Sequence, residues 1–432
     1  MSKILSKIVA LALILVMSVG LAACGQTQTP SSPISVEPEG TVSVEDDVPP
    51  EVEPQEPDED VSYDFGDQTF NEALVSFVDE LGMSNKNYMI SPVSYRAALC
   101  LALAGAEGDT LEELLHACQF DSVEEAESWY KGLVQKEKDF AKACEENEWD
   151  ASFSIVNSVW NNKTMMGDFA KAYLDYVTKE YGAEAYTTTA DKIVDEINAW
   201  CNEKTNGMIP HVVDNIEDAT AVLVNALYLR SSWWNEFPEH LTHDAEFTGY
   251  DGSTKTMPFM EQTERLRVYQ DAETSIVVLP LMGNKEFVLV MGDKTNLEEK
   301  MSKLETKLVH LVMPKFETSA TFEYPYMIGF LKAMGVKTAC DPGLANFSKM
   351  CEDVQWYISD IIQKDKIKID EKGLEAAAVT AIVVKASGVI IQTEDPIEII
   401  ADHPFSYYIY TDFGTDDAEL LFYGQLVSTV DE

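Results

Sequence analysis

The chain has 432 residues, with 31 basic against 75 acidic side chains, a formal net charge of −44, and 46% hydrophobic and 10% aromatic content. That length excludes a small stapled module, and that apolar content excludes global disorder. The charge argues against nucleic acid, whose phosphates are bound by clustered Lys and Arg, and none of the seven cysteines forms a CxxC pair that would suggest zinc or a disulfide framework.

Residues 1–23 read as a signal peptide. Lys3 and Lys7 precede an apolar run from Ile8 to Leu21, which is too short to be a comfortable membrane span. The run ends Leu21-Ala22-Ala23-Cys24-Gly25, similar to the bacterial lipobox, in which the cysteine is lipidated and becomes the mature N-terminus. Cys24 is therefore the expected lipid anchor, holding the chain to a membrane without spanning it. Residues 24–62 follow as Pro, Glu, Asp, Ser, Thr and Val, and no Lys or Arg occurs between Lys7 and Lys86. Such a segment buries too little apolar surface to offset chain entropy, so a disordered acidic linker is expected.

One domain is expected over 63–432. Asp67 is placed to cap a helix with the stripe Phe70, Leu74, Phe77 and Leu81, ended by Gly82. Ser91-Pro92 reads as N-cap and first helical residue of a helix running to Gly105. Thr110 with Glu113, and Ser122 with Glu125, have capping-box spacing. Ile193, Ile197 and Trp200 mark another helical face, closed by Asn206-Gly207. From residue 219 on, apolar runs read as strands: Ala221 to Leu229, Phe287 to Met291, Leu308 to Phe316, Ile367 to Ile369 and Phe405 to Tyr410. Helices first and strands later, without βαβ alternation, predicts an α+β fold.

No GxSxG, GxxxxGK, HExxH or GxGxxG motif occurs. His240 and His243 lack a third ligand, so no metal is expected, and no cofactor either. His403 before Pro404 reads as a structural hydrogen-bonding group. The chain is not expected to be an enzyme.

The informative stretch begins at Glu371-Lys372-Gly373. From Leu374 to Gly388 the even positions Leu374, Ala376, Ala378, Thr380, Ile382, Val384 and Ala386 are uncharged, whereas the charged Glu375 and Lys385 are odd. One uncharged face with a period of two is what a strand needs to lie over a core. Small side chains would let that strand enter between existing strands without overpacking. Taken alone, the segment fits equally an ordinary buried strand or an Ala-rich helix.

Its neighbourhood resembles the serpins, the serine protease inhibitors. Glu371-Lys372-Gly373-Leu374-Glu375-Ala376-Ala377-Ala378-Val379-Thr380 is similar to their hinge, usually Glu-Glu-Gly-Thr-Glu-Ala-Ala-Ala-Ala-Thr. Further motifs follow in the family's order: Asn87 to Ser94, Gly105 to Thr110, Ile197 to Trp200, Leu223 to Tyr228 with Trp233, Met313 to Phe316, Ala401 to Phe405 and Leu421 to Gly424. The resemblance covers nearly all of 65–430. It implies three β-sheets, eight or nine helices and an exposed reactive loop at about 372–397.

The resemblance also implies that a protease cleaves that loop, becomes acylated to it, and is distorted as the loop inserts into the main sheet. Two new ladders over about a dozen residues contribute roughly 10–20 kcal/mol before the entropy of ordering the loop. The uncleaved form is then metastable and kinetically trapped. The resemblance further implies a gating cluster at Ser91, Ser94 and Asn225, with Gln363 where the family usually has histidine, and a first opening point at Trp233. Leu374 stands where the family favours Thr or Ser.

By the family's count of about seventeen residues from the hinge glutamate, a spacing tied to insertion depth, the resemblance places the cleaved bond at Ser387–Gly388 when Glu371 is taken as that glutamate. Small residues there suit an elastase-like serine protease; Lys385–Ala386 is the alternative for a trypsin-like one, and a cysteine protease is a further option. The expected protein is a monomeric, surface-anchored bacterial lipoprotein with no nucleic-acid partner. A serpin that is cleaved without inhibiting, or a surface-binding protein, is the alternative.

Overall fold

Phe70, Leu74 and Phe77 are buried on one face of helix α1 (Phe70–Val78), as their spacing requires. Its cap is Thr69: the Thr69 side chain accepts from the Glu72 amide, and the Glu72 carboxylate accepts from the Thr69 amide. The expected cap, Asp67, lies outside the residues described. Gly82, at φ 94°, closes the π-helical turn Asp79–Met83 that follows. The computed structural model describes residues 63–66, 68–149, 151–216, 221–323, 325–351, 355–374 and 394–430.

After strand β1 (Tyr88–Ile90), helix α2 (Pro92–Gly105) begins as its sequence predicts, with the Ser91 hydroxyl accepting from the Ser94 amide. Helix α3 (Gly108–Ala117) corrects an expectation. Thr110 lies inside it, bonded to Thr338, while Glu113 accepts from the Lys337 and Thr338 amides instead of closing a capping box. In α4 (Val123–Asn147), Ser122 accepts from Glu125 as expected, but the Glu125 carboxylate takes the amide of Asp121.

The chain continues through β2 (Ser152–Asn162), α5 (Lys163–Met166), α6 (Lys171–Tyr181), β3 (Glu184–Thr188), α7 (Ile193–Lys204) and β4 (Ala221–Ser232). Next come β5 (His243–Thr248), β6 (Thr254–Gln270), β7 (Thr274–Leu281), β8 (Lys285–Gly292), α8 (Leu297–Met301), β9 (Glu305–Pro314), β10 (Phe316–Phe322) and α9 (Tyr326–Ala333). The last strands are β11 (Asp360–Asp370), β12 (Gly373–Leu374), β13 (Ile397–Ile400), β14 (Phe405–Thr411) and β15 (Glu419–Leu426). Helices precede strands only in part, because β1, β2 and β3 fall among the helices. The class is α+β, as expected.

Two sets of strands form. One has the order β10-β11-β12-β4-β2-β3, with β11 also pairing β4 directly. The other runs β1-β15-β14-β8-β7-β6-β9-β13, with β5 on β6. Strand β6 serves two groups within this second set: Thr254–Phe259 pairs with β5 and Phe259–Val268 with β9, whereas Arg267–Gln270 pairs with β7. The three expected sheets are thus the six-stranded sheet and two groups that share one long strand. The main core lies between the six-stranded sheet, helices α1 and α2, and the strands around β8, β14 and β15. Trp233, Phe287 and Tyr407 are all fully buried there.

Candidate functional site

The site is a slot in the six-stranded sheet. At its lower end β4 and β11 pair directly and in parallel, Asp360 to Gln363 opposite Val222 to Asn225. At its upper end a third strand lies between them: β12 pairs antiparallel with Ile369 and Asp370 on one side and with Ser231 and Ser232 on the other. Between these points, Lys364 to Lys368 and Ala226 to Arg230 have no ladder to each other among the described residues. Each keeps its outer neighbour, β10 for the first and β2 for the second. The two flanking strands are therefore already one strand-width apart where the hinge begins.

Gly373 makes this arrangement possible. Its φ is 148°, and a Cβ there would meet the Ser231 carbonyl oxygen at 2.2 Å and Ser232 Cα at 2.7 Å. Leu374, 2% exposed, shares the buried face of Ile369 and Ser231. The larger side chain at this hinge position is accommodated.

The upper end is fastened around Glu371. Lys315 Nζ lies 2.7 Å from Glu371 Oε2, and the Thr242 hydroxyl donates to Oε1 at 2.7 Å. Burial alone would raise the Glu371 carboxyl, but Lys315 and Thr242 outweigh it and hold it below the usual range. The Phe237 amide donates to the Glu371 carbonyl and the Trp233 amide to that of Lys372. The Trp233 indole Nε1 donates to the Asp370 carbonyl at 2.8 Å. Trp233 is 1% exposed and packs edge-on against Phe237 and Phe287. It is a core aromatic and also the bolt of this end of the slot.

The lower end holds the expected polar cluster. Gln363 Nε2 donates to the Ser91 carbonyl at 2.8 Å, the Ser94 hydroxyl donates to Asn225 Oδ1 at 3.2 Å, and the Ser91 hydroxyl donates to the Leu421 carbonyl. Asn157 of β2 stands opposite Asn225, which stands opposite Gln363, so three amide side chains form a row across adjacent strands. Asn157, Lys315 and Thr242 had no assigned part in the sequence reading. Asn157 is brought in by strand register, and Lys315 and Thr242 by side-chain contacts between segments distant in sequence.

Asp365 was also passed over, although its parity with Ile367 and Ile369 signals an acid on an apolar face. It is fully buried. Glu375, Ala376, Ala377, Ala378, Thr380, Lys385, Ala386, Ser387, Gly388 and Cys24 lie outside the described residues.

Among the described residues no group of three or more His, Cys, Asp and Glu is placed to hold a metal. His243 Nδ1 instead lies 3.0 Å from the Leu241 carbonyl, and His403 Nδ1 lies 2.8 Å from Asp402. Six cysteines, Cys100, Cys118, Cys144, Cys201, Cys340 and Cys351, are free thiols. No helix among the described residues is long and apolar enough to cross a membrane.

A family model described as serpin (serine protease inhibitor) matches residues 68–429. Serpin-ZX of Arabidopsis thaliana is 27% identical over 376 residues, covering 79% of this chain and 92% of the relative. The leukocyte elastase inhibitor of Equus caballus is 28% identical over 375 residues, covering 79% of this chain and 93% of the relative. The crystal structure of Serpin48, a highly specific serpin of the insect Tenebrio molitor, superposes with a TM-score of 0.69 at 26% identity. That match covers 85% of this chain and all of the insect protein.

Proposed function

Because the chain belongs to the serpin (serine protease inhibitor) family, we propose that it is an exported, lipid-anchored, suicide-substrate inhibitor of elastase-like serine proteases. Family membership makes it an inhibitor-class protein and not an enzyme. The observation that carries the mechanism is the pair Gly373 and Leu374 lodged between β11 and β4, with the two strands unpaired to each other beyond it.

If a cleaved loop enters in the register that these two residues set, each later residue has defined neighbours. Ala376 comes between Ile367 and Leu229, Ala378 between Asp365 and Leu227, and Thr380 between Gln363 and Asn225. All of these flanking positions lie on the buried face shared with Leu374, so the uncharged even residues point inward. Entry as far as Val379 breaks no existing ladder. From Thr380 onward the loop must split the four pairs that join β4 to β11. The polar row of Asn157, Asn225 and Gln363 therefore sits where resistance begins.

The elastase-like class is supported by the small residues Ala386 and Ser387 before Gly388, and by the similarity to a leukocyte elastase inhibitor. The membrane anchor rests on the sequence around Cys24, and export rests on residues 1–23. A denaturing gel of the protein with an elastase-like protease tests the reading. The expected result is a covalent band near the summed mass, with a released peptide that begins at Gly388. Cleavage with no such band refutes inhibition, and a peptide beginning at Ala386 moves the target to the trypsin-like class.

A further inference from the structure

On the inner face of the six-stranded sheet, both carboxyl oxygens of Asp365 are buried and neither makes a hydrogen bond of good geometry, the Ser91 amide being the donor that acts on the carboxyl. Asn225 Nδ2 and Gln363 Oε1, two residues along on the same face, are likewise unpartnered. Buried polar groups are almost always paired, so an orphaned carboxyl in the wall of a slot calls for a physical account.

Among the described residues, the surroundings of Asp365 supply no cation. Across the slot, β4 contributes Asn225, Leu227 and Leu229 on that face. On its own strand the neighbours are Gln363 and Ile367, and the facing β10 residue is Ala320. The N-cap of helix α2 contributes the Ser91 amide. Strand β14 contributes Tyr407, the titratable group electrostatically linked to Asp365, with Thr318 of β10 beside it and Tyr423 of β15 behind. No Lys, Arg or His acts on the carboxyl, and burial, opposed by the Ser91 amide, pushes it well above the carboxylate range.

We propose that Asp365 is a positioning residue that couples the opening of this sheet to pH: its neutral acid lets β11 rest closed against the core, and loss of its proton drives β11 away from β4. When the strands part, water reaches the side chain and the carboxylate becomes the stable form, so opening releases one proton. Opening therefore strengthens as pH rises, from the ordinary aspartate range up to the point at which the closed form also ionises. The consequence for function, faster loop insertion at higher pH, rests on the inhibitory reading above; the opening itself does not.

The test is amide exchange on the full-length protein, followed at residues 222–225 and 360–363, the pairs that join β4 to β11, between about pH 5 and about pH 8. Rates are corrected for intrinsic exchange and compared among the parent, Asp365→Asn and Asp365→Ala. In the parent the opening equilibrium should rise with pH, by up to about tenfold per unit. Both variants should lack that slope, while matching the parent most closely at the acid end. The alanine variant guards against an asparagine that packs poorly, and the parent's own slope needs no variant at all.

A flat parent profile, or equal slopes in parent and variants, overturns the proposal. If the slope is present but no protease forms a covalent band, the inhibitory reading fails and this inference stands. If the band forms and the slopes are equal, this inference alone fails.

Discussion

Substituting Gly373→Ala should expel the hinge from the sheet. The obstruction is backbone: the new methyl would lie 2.2 Å from the Ser231 carbonyl oxygen and 2.7 Å from Ser232 Cα, and no side-chain rotation relieves that. The φ of 148° adds strain of about 1–3 kcal/mol for a residue with a Cβ. One escape is for β12 to leave the slot. That gives up the burial of Leu374, about 2 kcal/mol, and ladder bonds of about 1 kcal/mol each.

The other escape is for β4 to shift at Ser231 and Ser232. That would disturb Trp233, whose amide and indole are both committed to the Asp370–Lys372 turn. The first escape is cheaper and costs about 4 kcal/mol, so the parent holds its hinge in the slot by close to a thousandfold, a preference the variant loses. Amide exchange at residues 231–232 and 369–374 reads the local change, and a protease gel reads the consequence. The variant should be cleaved as a substrate with little covalent complex, while its helices keep their far-UV signature. Unchanged protection together with an undiminished covalent band would refute the reasoning about the slot.

Glu371→Gln should weaken the same end by about 1–3 kcal/mol, since the pair with Lys315 is charge-assisted but partly solvated. Because folding lowers this carboxyl, its contribution is present above its ordinary value of 4.5 and is lost as pH falls through the lowered one. Spontaneous loss of the native form should be faster in the variant at neutral pH and equal in acid; a difference that persists in acid contradicts this. Lys285→Met should raise the thermal midpoint at neutral pH. Lys285 is 2% exposed, and burial lowers its ammonium from 10.5 to about 8, so its penalty is full below the lower value and fades as pH rises toward the higher. The gain, about 1–3 kcal/mol, should shrink in alkali, and melting curves at two pH values check it. Cys24→Ser should release the protein from membranes into the aqueous phase, whereas continued partition into detergent refutes lipidation at that residue.

Much of the fold is legible where one residue type has one use. Ser91-Pro92 opens a helix because proline lacks the N–H that a first turn leaves unpaired, and it does so here. The runs that form β4, β8 and β14 are apolar on both faces and are found where they are expected. Reading fails where a side chain has two possible partners. Thr110 and Glu113 carry a capping signature, yet tertiary contacts with Thr338 claim both. Strand β2 was missed because its polar residues Asn157, Ser158, Asn161 and Asn162 are buried, which no polarity pattern anticipates. At the site, the hinge glycine was readable through the resemblance, and Leu374 is buried as its place on the uncharged face predicts. The fastening of Glu371 by Lys315 and Thr242 was not, because three segments must fold together before that contact exists.

The first strand of the chain is finished by its last. Strand β1 pairs only with β15 among the described strands, Tyr88 opposite Gln425 and Ile90 opposite Tyr423. The Gln425 amide group donates to the carbonyls of Met83, Ser84 and Lys86, and Asn87 bonds to the backbone of Val427 and Ser428. These contacts join residues more than three hundred positions apart, and contacts of such long reach form slowly. The segment around the start of α2 cannot complete its packing until β15 has been synthesised and reaches it.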